Sequence, residues 1–293
     1  MREVKKVLAA TDGSEHGLAA VVTGAAWAER AGASLEVATI VEVLLLPPTH
    51  APPGVDASEL EPEFVKEARQ KAEAQAAVAG AAGATVHVRA GLAPQLVNKI
   101  AEESGADLIV VGASPQPALA RSLVGSTGRR VLYLADRPVL LASEPRREPF
   151  RRVLAAIDLS DESGPVLENA WTFARADSAE MRALFVLEPL PMMLAKMVRH
   201  KEEERVRQGR EELERVLKES NLSTEPSVEP RMREGDGGRE ILQEAEDWDA
   251  DLVVLGTHGF GFFDRLMLGR TSLHVLRHGH RATLVVPRAE SAD

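Results

Sequence analysis

VLAATDGS at residues 7–14 and VLAAIDLS at residues 153–160 decide the fold, because the second stretch repeats the first 146 residues further on. In each, a run of apolar residues short enough for a buried strand leads into an acid and a serine, residues suited to a turn or a helix N-cap. The repetition continues outward. ADLIVVG at 106–112 returns as ADLVVLG at 250–256, and the RPVLL that begins at Arg137 returns as the RATLV that begins at Arg281, both offset by 144 residues. Three matched segments in the same order make the chain a tandem duplication. Its 293 residues leave each copy the size of an ordinary domain. Charges and two prolines at 143–150 disfavour regular structure, which sets the expected domains at 1–146 and 147–293.

Within each copy, strand-like and helix-like segments alternate. Strands are expected at 6–10, 35–42, 85–89, 108–111 and 139–142, then at 153–157, 181–188, 228–232, 252–255 and 284–286. Helices are expected from Ser14 to Ala31, over 62–79 and 94–104, and after Gly125. The second copy repeats them over 166–176, within 192–220, over 239–247 and over 271–277. Strands separated by helix-length segments predict an α/β fold: two tandem doubly wound domains, each a parallel sheet with helices on both faces. Such sheets bind ligands at the carboxyl ends of their strands, where the strand order reverses.

Composition narrows the functions. With 44% hydrophobic and 27% charged residues the chain reads as an ordinary globular protein, and at 4% aromatic its cores must be filled by Val, Leu, Ala and Ile. A net charge of −10 without a basic block argues against nucleic acid as a partner. The absence of cysteine excludes disulfides, thiolate catalysis and Cys-ligated zinc. Neither a signal-like apolar core at the start nor a membrane-length apolar run is present, so a cytoplasmic protein is expected.

Two places in each copy invite a site. The first is the exit of strand one, with Asp12 and Asp158, where a short acid can accept hydrogen bonds from a ligand or simply shape a turn. The second is the turn after the fourth strand. In the second copy it runs Gly256-Thr-His-Gly259-Phe-Gly261 and on to Gly269-Arg270-Thr271-Ser272. Glycines at a strand exit let backbone amides approach a ligand, and the helix that follows offers its first amides to an anion. Tight turning alone would also explain them. The first copy has Gly112-Ala-Ser-Pro115 and then Gly125-Ser126-Thr127, with the same spacing from Gly112 to Gly125 as from Gly256 to Gly269.

Gly, two residues, Gly, nine residues, Gly-Ser/Thr resembles the nucleotide loop of the ATP-binding universal stress proteins, and VLAATDGSEHG and ADLIVVG resemble that family too. The resemblance covers nearly the whole chain, once per half. It implies a five-stranded parallel sheet in each half and an adenine-nucleotide-binding regulatory protein of the stress response. ATP or AMP, with or without Mg2+, would be bound without efficient turnover. By that resemblance Asp12 and Asp158 lie beside adenine and ribose, and Ile40 and Val186 pack near the base. Val111-Gly112 and Leu255-Gly256 start the phosphate loop, Gly259 continues it, and Gly125-Ser126-Thr127 and Gly269 with Thr271 and Ser272 hold the phosphates. The family's domains pair through the last strand, here residues 139–142 against 284–286, as an internal pseudo-dimer or with a second copy as a homodimer.

Three departures accompany the likeness: Pro115 stands where the loop's second glycine belongs, Arg270 replaces a serine, and Leu159 replaces the glycine after the strand-one acid. The second half keeps all three loop glycines and is the expected binder. Arg270 either faces solvent or offers a charged fork to a β- or γ-phosphate.

No phosphate-loop GxxxxGK[ST], dinucleotide GxGxxG, HExxH or GxSxG occurs, so no catalytic residues are assigned. His274, His278 and His280 suit a helix C-terminus better than a metal. The proline-rich segment 43–53 and the Met-rich segment 190–198 are candidate contact surfaces, and the charged run 199–215 reads as a solvated helix face. The alternative function is an interaction protein of the same fold that binds no nucleotide.

Overall fold

The computed structural model describes residues 3–42, 57–113, 127–190, 202–220, 222, 225–257 and 268–288. The chain divides into two compact units, Val4–Glu148 and a second that takes in Pro149–Asp293. At the junction Arg146 N donates to Thr23 Oγ1 at 3.1 Å and Arg30 Nη1 to Arg147 O at 2.9 Å, while Phe150 N donates to Asp177 Oδ2 at 2.7 Å. The hand-over is therefore complete within a few residues.

In the first unit the order is β1 (Lys6–Thr11), α1 (Glu15–Ala31), β2 (Ser34–Val41), α2 (Ala57–Val78), β3 (Thr85–Ala90), α3 (Ala93–Ser104), β4 (Leu108–Gly112), α4 (Thr127–Leu134) and β5 (Val139–Ala142). The strands lie β3-β2-β1-β4-β5, all parallel. The chain moves outward from β1 to β3 and then returns to β4 on the other side. Right-handed crossovers consequently put α1 with α2 on one face and α3 with α4 on the other, and these are the helix pairs that pack together. Ser14 caps α1, accepting from Gly17 N at 3.2 Å, and Gly32 ends it at φ 69°. Small residues let α1 lie low on the sheet: a Cβ at Gly24 would sit 3.4 Å from Ala9 and Val110.

The second unit repeats this with β6 (Arg152–Ile157), α5 (Ser163–Asp177), β7 (Glu180–Leu187), α6 (Glu202–Glu219), β8 (Val228–Glu234), α7 (Gly237–Asp247), β9 (Leu252–Gly256), α8 (Arg270–His278) and β10 (Ala282–Val286). Its strands lie β8-β7-β6-β9-β10, again parallel. Each expected element is present with ends shifted by a few residues. The largest shift is in α2, which begins before Pro62 and so holds that proline inside it. From Glu202 onward the charged run lies in α6, where Arg207 and Arg215 pair with glutamates of their own helix and, among its described side chains, only Gly209 and Leu213 are buried; residues 199–201 lie outside the described residues. Segments 43–53 and 191–198 lie outside the described residues.

The repeated ADL motif has a local reason. Asp107 Oδ2 accepts from Lys5 N and Lys6 N at 2.9 and 3.1 Å. Asp251 Oδ2 accepts from Arg151 N and Arg152 N at 2.7 and 3.1 Å. In both units this aspartate ties the start of the fourth strand to the start of the first, and so sets the register of those two strands.

Candidate nucleotide-binding site

In the second unit a cavity of about 580 Å³ opens where β6, β7 and β9 end. Asp158, Val186, Leu255, Gly256, Gly269, Arg270, Thr271 and Ser272 all line it, so one hollow gathers every residue that the sequence nominated in this half except Gly259, which lies outside the described residues. Ile157, Leu184 and Ile241 add apolar wall, the kind of surface that accepts a flat aromatic base.

Asp158 follows the last residue of β6. Its Oδ1 accepts from Ser160 N at 3.1 Å, Ser160 Oγ at 2.6 Å and Ser163 Oγ at 3.3 Å. Leu159 between them takes φ 62°, the left-handed region where a side chain costs about 1 kcal/mol, and the three bonds offset that cost. Asp158 Oδ2 is buried and finds no hydrogen-bond donor among the described residues. A buried carboxylate oxygen without a donor is expensive unless something else supplies one.

Across the cavity, β9 ends at Gly256 and α8 starts at Arg270 with Gly269 as N-cap and no side-chain cap. The amides of its first turn are thus left for an anion. Gly269 N donates to Thr257 O at 2.8 Å, closing the neck of the loop between them. Ser272 departs from its expected role: its hydroxyl donates to Gly256 O at 2.8 Å and is buried, so its one proton braces the loop and its backbone amide is what remains for a ligand. The Arg270 side chain is 81% exposed and lies 3.6 Å from Glu188 Oε2.

Besides apolar side chains, the lining residues that escaped the sequence reading are Glu162, Ser163, Glu188 and Gly237. A signal for Gly237 existed, since Asp236-Gly237-Gly238, after β8 and opening α7, repeats in sequence the strand–glycine–helix pattern that Gly256 and Gly269 suggested. The others carry no motif.

The first unit arranges the same parts differently. Asp12 is exposed, and its Oδ1 accepts from Ser14 N at 2.9 Å and from Ser14 Oγ. Thr11 Oγ1 donates to Gln75 Oε1 at 2.5 Å and Gln75 Nε2 to Ser14 O at 2.9 Å, tying α2 over the strand exit. Ile40 is half-buried in β2 and Val111 is buried in β4. Gly112 has a packing reason of its own, since a Cβ there would lie 2.1 Å from His16 O. Gly125, Ser126 and Pro115 lie outside the described residues, and Thr127 is the first residue of α4.

Helix α8 is held against α7 by His274, whose Cβ would lie 2.6 Å from a Cβ at Gly238. Burial lowers the His274 pKa, with help from His278 and Arg239, against the opposing pull of Asp236. The folded protein therefore binds the imidazole proton less readily than the unfolded chain does. This unit should hold its full stability above about pH 6.5 and lose some as the pH falls below it. His274→Gln should flatten that acid-side decline in urea midpoints measured between pH 7.5 and 5. His278 Nδ1–H donates to His274 O at 2.9 Å, closing the last turn. His258 lies outside the described residues, and among them no helix is long and apolar enough to cross a membrane.

Comparison with known proteins gives this geometry a context. The profile of the Universal stress protein family matches residues 3–143 and again 149–287. A universal stress protein of Mycobacterium tuberculosis is 28% identical over 198 residues, and the match covers 64% of this chain and 66% of that protein, just under two thirds of its length. A shorter relative from Thermus aquaticus is 30% identical over 138 residues, covering 47% of this chain and 98% of its own. The crystal structure of a universal stress protein from Archaeoglobus fulgidus shares the fold at a TM-score of 0.70 and 22% identity, over 97% of both chains. With the profile matched once in each half, the chain belongs to the universal stress protein family and carries its domain twice.

Proposed function

We propose that the second unit binds an adenine nucleotide, ATP or AMP, and that the protein is a regulator responding to that ligand rather than an enzyme consuming it. The observation that carries the reading is Asp158, a residue of the cavity wall whose buried Oδ2 has no donor from the described residues. A ribose hydroxyl or the adenine amino group supplies what it lacks. The base lies along Val186 and Leu255, and the phosphate meets the first amides of α8 with Thr271 Oγ1 beside them. Of the other acids on the wall, Glu162 pairs with Arg288 at 2.9 Å, so it is held in place rather than poised to activate a water. Binding without efficient turnover follows. Mg2+ accompanies ATP only as the nucleotide's own counter-ion.

Calorimetry on nucleotide-free protein tests this. Asp158→Ala should weaken AMP and ATP binding about tenfold or more, the loss of a hydrogen bond to a buried charge. Ser160→Ala removes the hydroxyl contact to Oδ1, leaves the bonds from Ser160 N and Ser163 Oγ, keeps Oδ2, and should stay within about threefold of the parent. No heat with either nucleotide, or equal affinity in the Asp158 variant, would refute the proposal.

A further inference from the structure

A helix N-terminus and an arginine from a second helix meet at one side chain in the cavity wall. Glu188 follows the last residue of β7, and its Oε1 accepts from Gly237 N, the first residue of α7, at 3.4 Å. Its Oε2 lies 3.6 Å from Arg270 Nη2 on the first residue of α8. Helix α7 is capped besides by Asp236, which accepts from Arg239 N at 3.2 Å, whereas α8 has no side-chain cap. The carboxylate is thus the anion that the first amide of α7 and the Arg270 guanidinium already hold. It is also close to where a phosphate would go. A Cβ built at Gly237 would be 3.0 Å from Glu188 Oε1 and 3.2 Å from Thr271 Oγ1, so the acid and the hydroxyl flank the same point.

We infer that Glu188 is a resident anion that competes with the ligand's phosphates and makes this site discriminate by charge, favouring adenosine and AMP over free ATP. This rests on the nucleotide reading above and adds to it the residue that sets phosphate number. The physics is like-charge repulsion: each phosphate charge placed a few ångströms from the carboxylate is disfavoured, and Arg270 is engaged by Glu188 before the ligand arrives. Glu188 is about half exposed, so solvent and salt weaken the effect without abolishing it. Asp158 on the same wall adds to the negative field, Glu162 is balanced by Arg288, and Arg270 is the opposing charge on that wall.

The test is Glu188→Gln, which keeps the shape and an acceptor oxygen but removes the charge. Affinities for adenosine, AMP and ATP are measured by calorimetry in divalent-free buffer for both proteins. The expected result is a gain that climbs with phosphate number: none for adenosine, about threefold for AMP and about tenfold for ATP, shrinking as salt is raised. An unchanged adenosine affinity reports that the variant is folded. Equal changes for all three ligands, no change, or a loss specific to ATP would overturn the inference while leaving the nucleotide reading intact. If the parent binds none of the three, the nucleotide reading itself fails and this one falls with it.

Discussion

Glu244→Gln is expected to lower the stability of the second unit by about 3 kcal/mol, because it takes the charge from the centre of a buried ionic cluster. Glu244 is 1% exposed, and Arg182 Nη1 and Arg233 Nη1 each donate to one of its oxygens at 2.6 Å. Arg231 Nε stands 3.5 Å away. The two central arginines reach out to further acids: Arg182 to Glu229 at 2.7 Å, and Arg233 to Glu240 at 2.8 Å and Asp247 at 2.9 Å. The cluster thus joins β7, β8 and α7, the elements that deliver Val186, Glu188 and Gly237 to the cavity. A neutral amide keeps the volume but leaves two partly buried guanidiniums undercompensated. Arg182 also lies 4.3 Å from the ring centre of Trp248, so tryptophan fluorescence during urea unfolding follows the change directly. An unshifted midpoint would mean that the outer acids compensate fully.

The second large effect belongs to the first unit. Gly112→Ala should cost about 3 kcal/mol, since its new Cβ would press on the carbonyl of His16, backbone against backbone with no flexible side chain to yield. The carbonyl of Gly112 is itself 3.0 Å from where a Cβ on Gly128 would stand, so the first turns of α1 and α4 both lean on this strand end. Gly24→Ala supplies the contrast. It meets Ala9 and Val110 at ordinary contact distance in a helix interior, where alanine gains up to about 1 kcal/mol. Chemical denaturation of both variants should therefore move in opposite directions. A neutral Gly112→Ala would show that α1 can retreat without loss.

Much of this architecture is legible in the linear chain because it is written twice. Strand one, the ADL strand and the last strand repeat as short strings, and a parallel sheet needs no longer-range information than their order. That Asp158, Gly256 and residues 269–272 meet at one hollow is legible for the same reason, since a strand exit followed by glycines and a helix start is a local pattern. Glu188 is not. Its meaning lies in meeting Gly237 and Arg270, residues from two other elements, and nothing in its own neighbourhood of sequence announces that. Ser272 and Gly112 teach a complementary lesson. A hydroxyl and a glycine at motif positions suggest phosphate contact, yet one gives its proton to Gly256 and the other makes room for His16. Residue type at a given spacing specifies what a position can do, and only its neighbours specify which of those things it does.

The bond from Gly269 N to Thr257 O has an implication for how this family member can change. By joining Thr257 to Gly269, it fixes the two anchor points that β9 and α8 offer to the residues between them. Entropy charges little for altering the length of a span whose ends are already joined, about 0.6 kcal/mol for a doubling. Changes of length between these anchor points, with the buried Leu268 kept, should therefore cost the second unit little stability and leave Gly256 and residues 269–272 at the hollow.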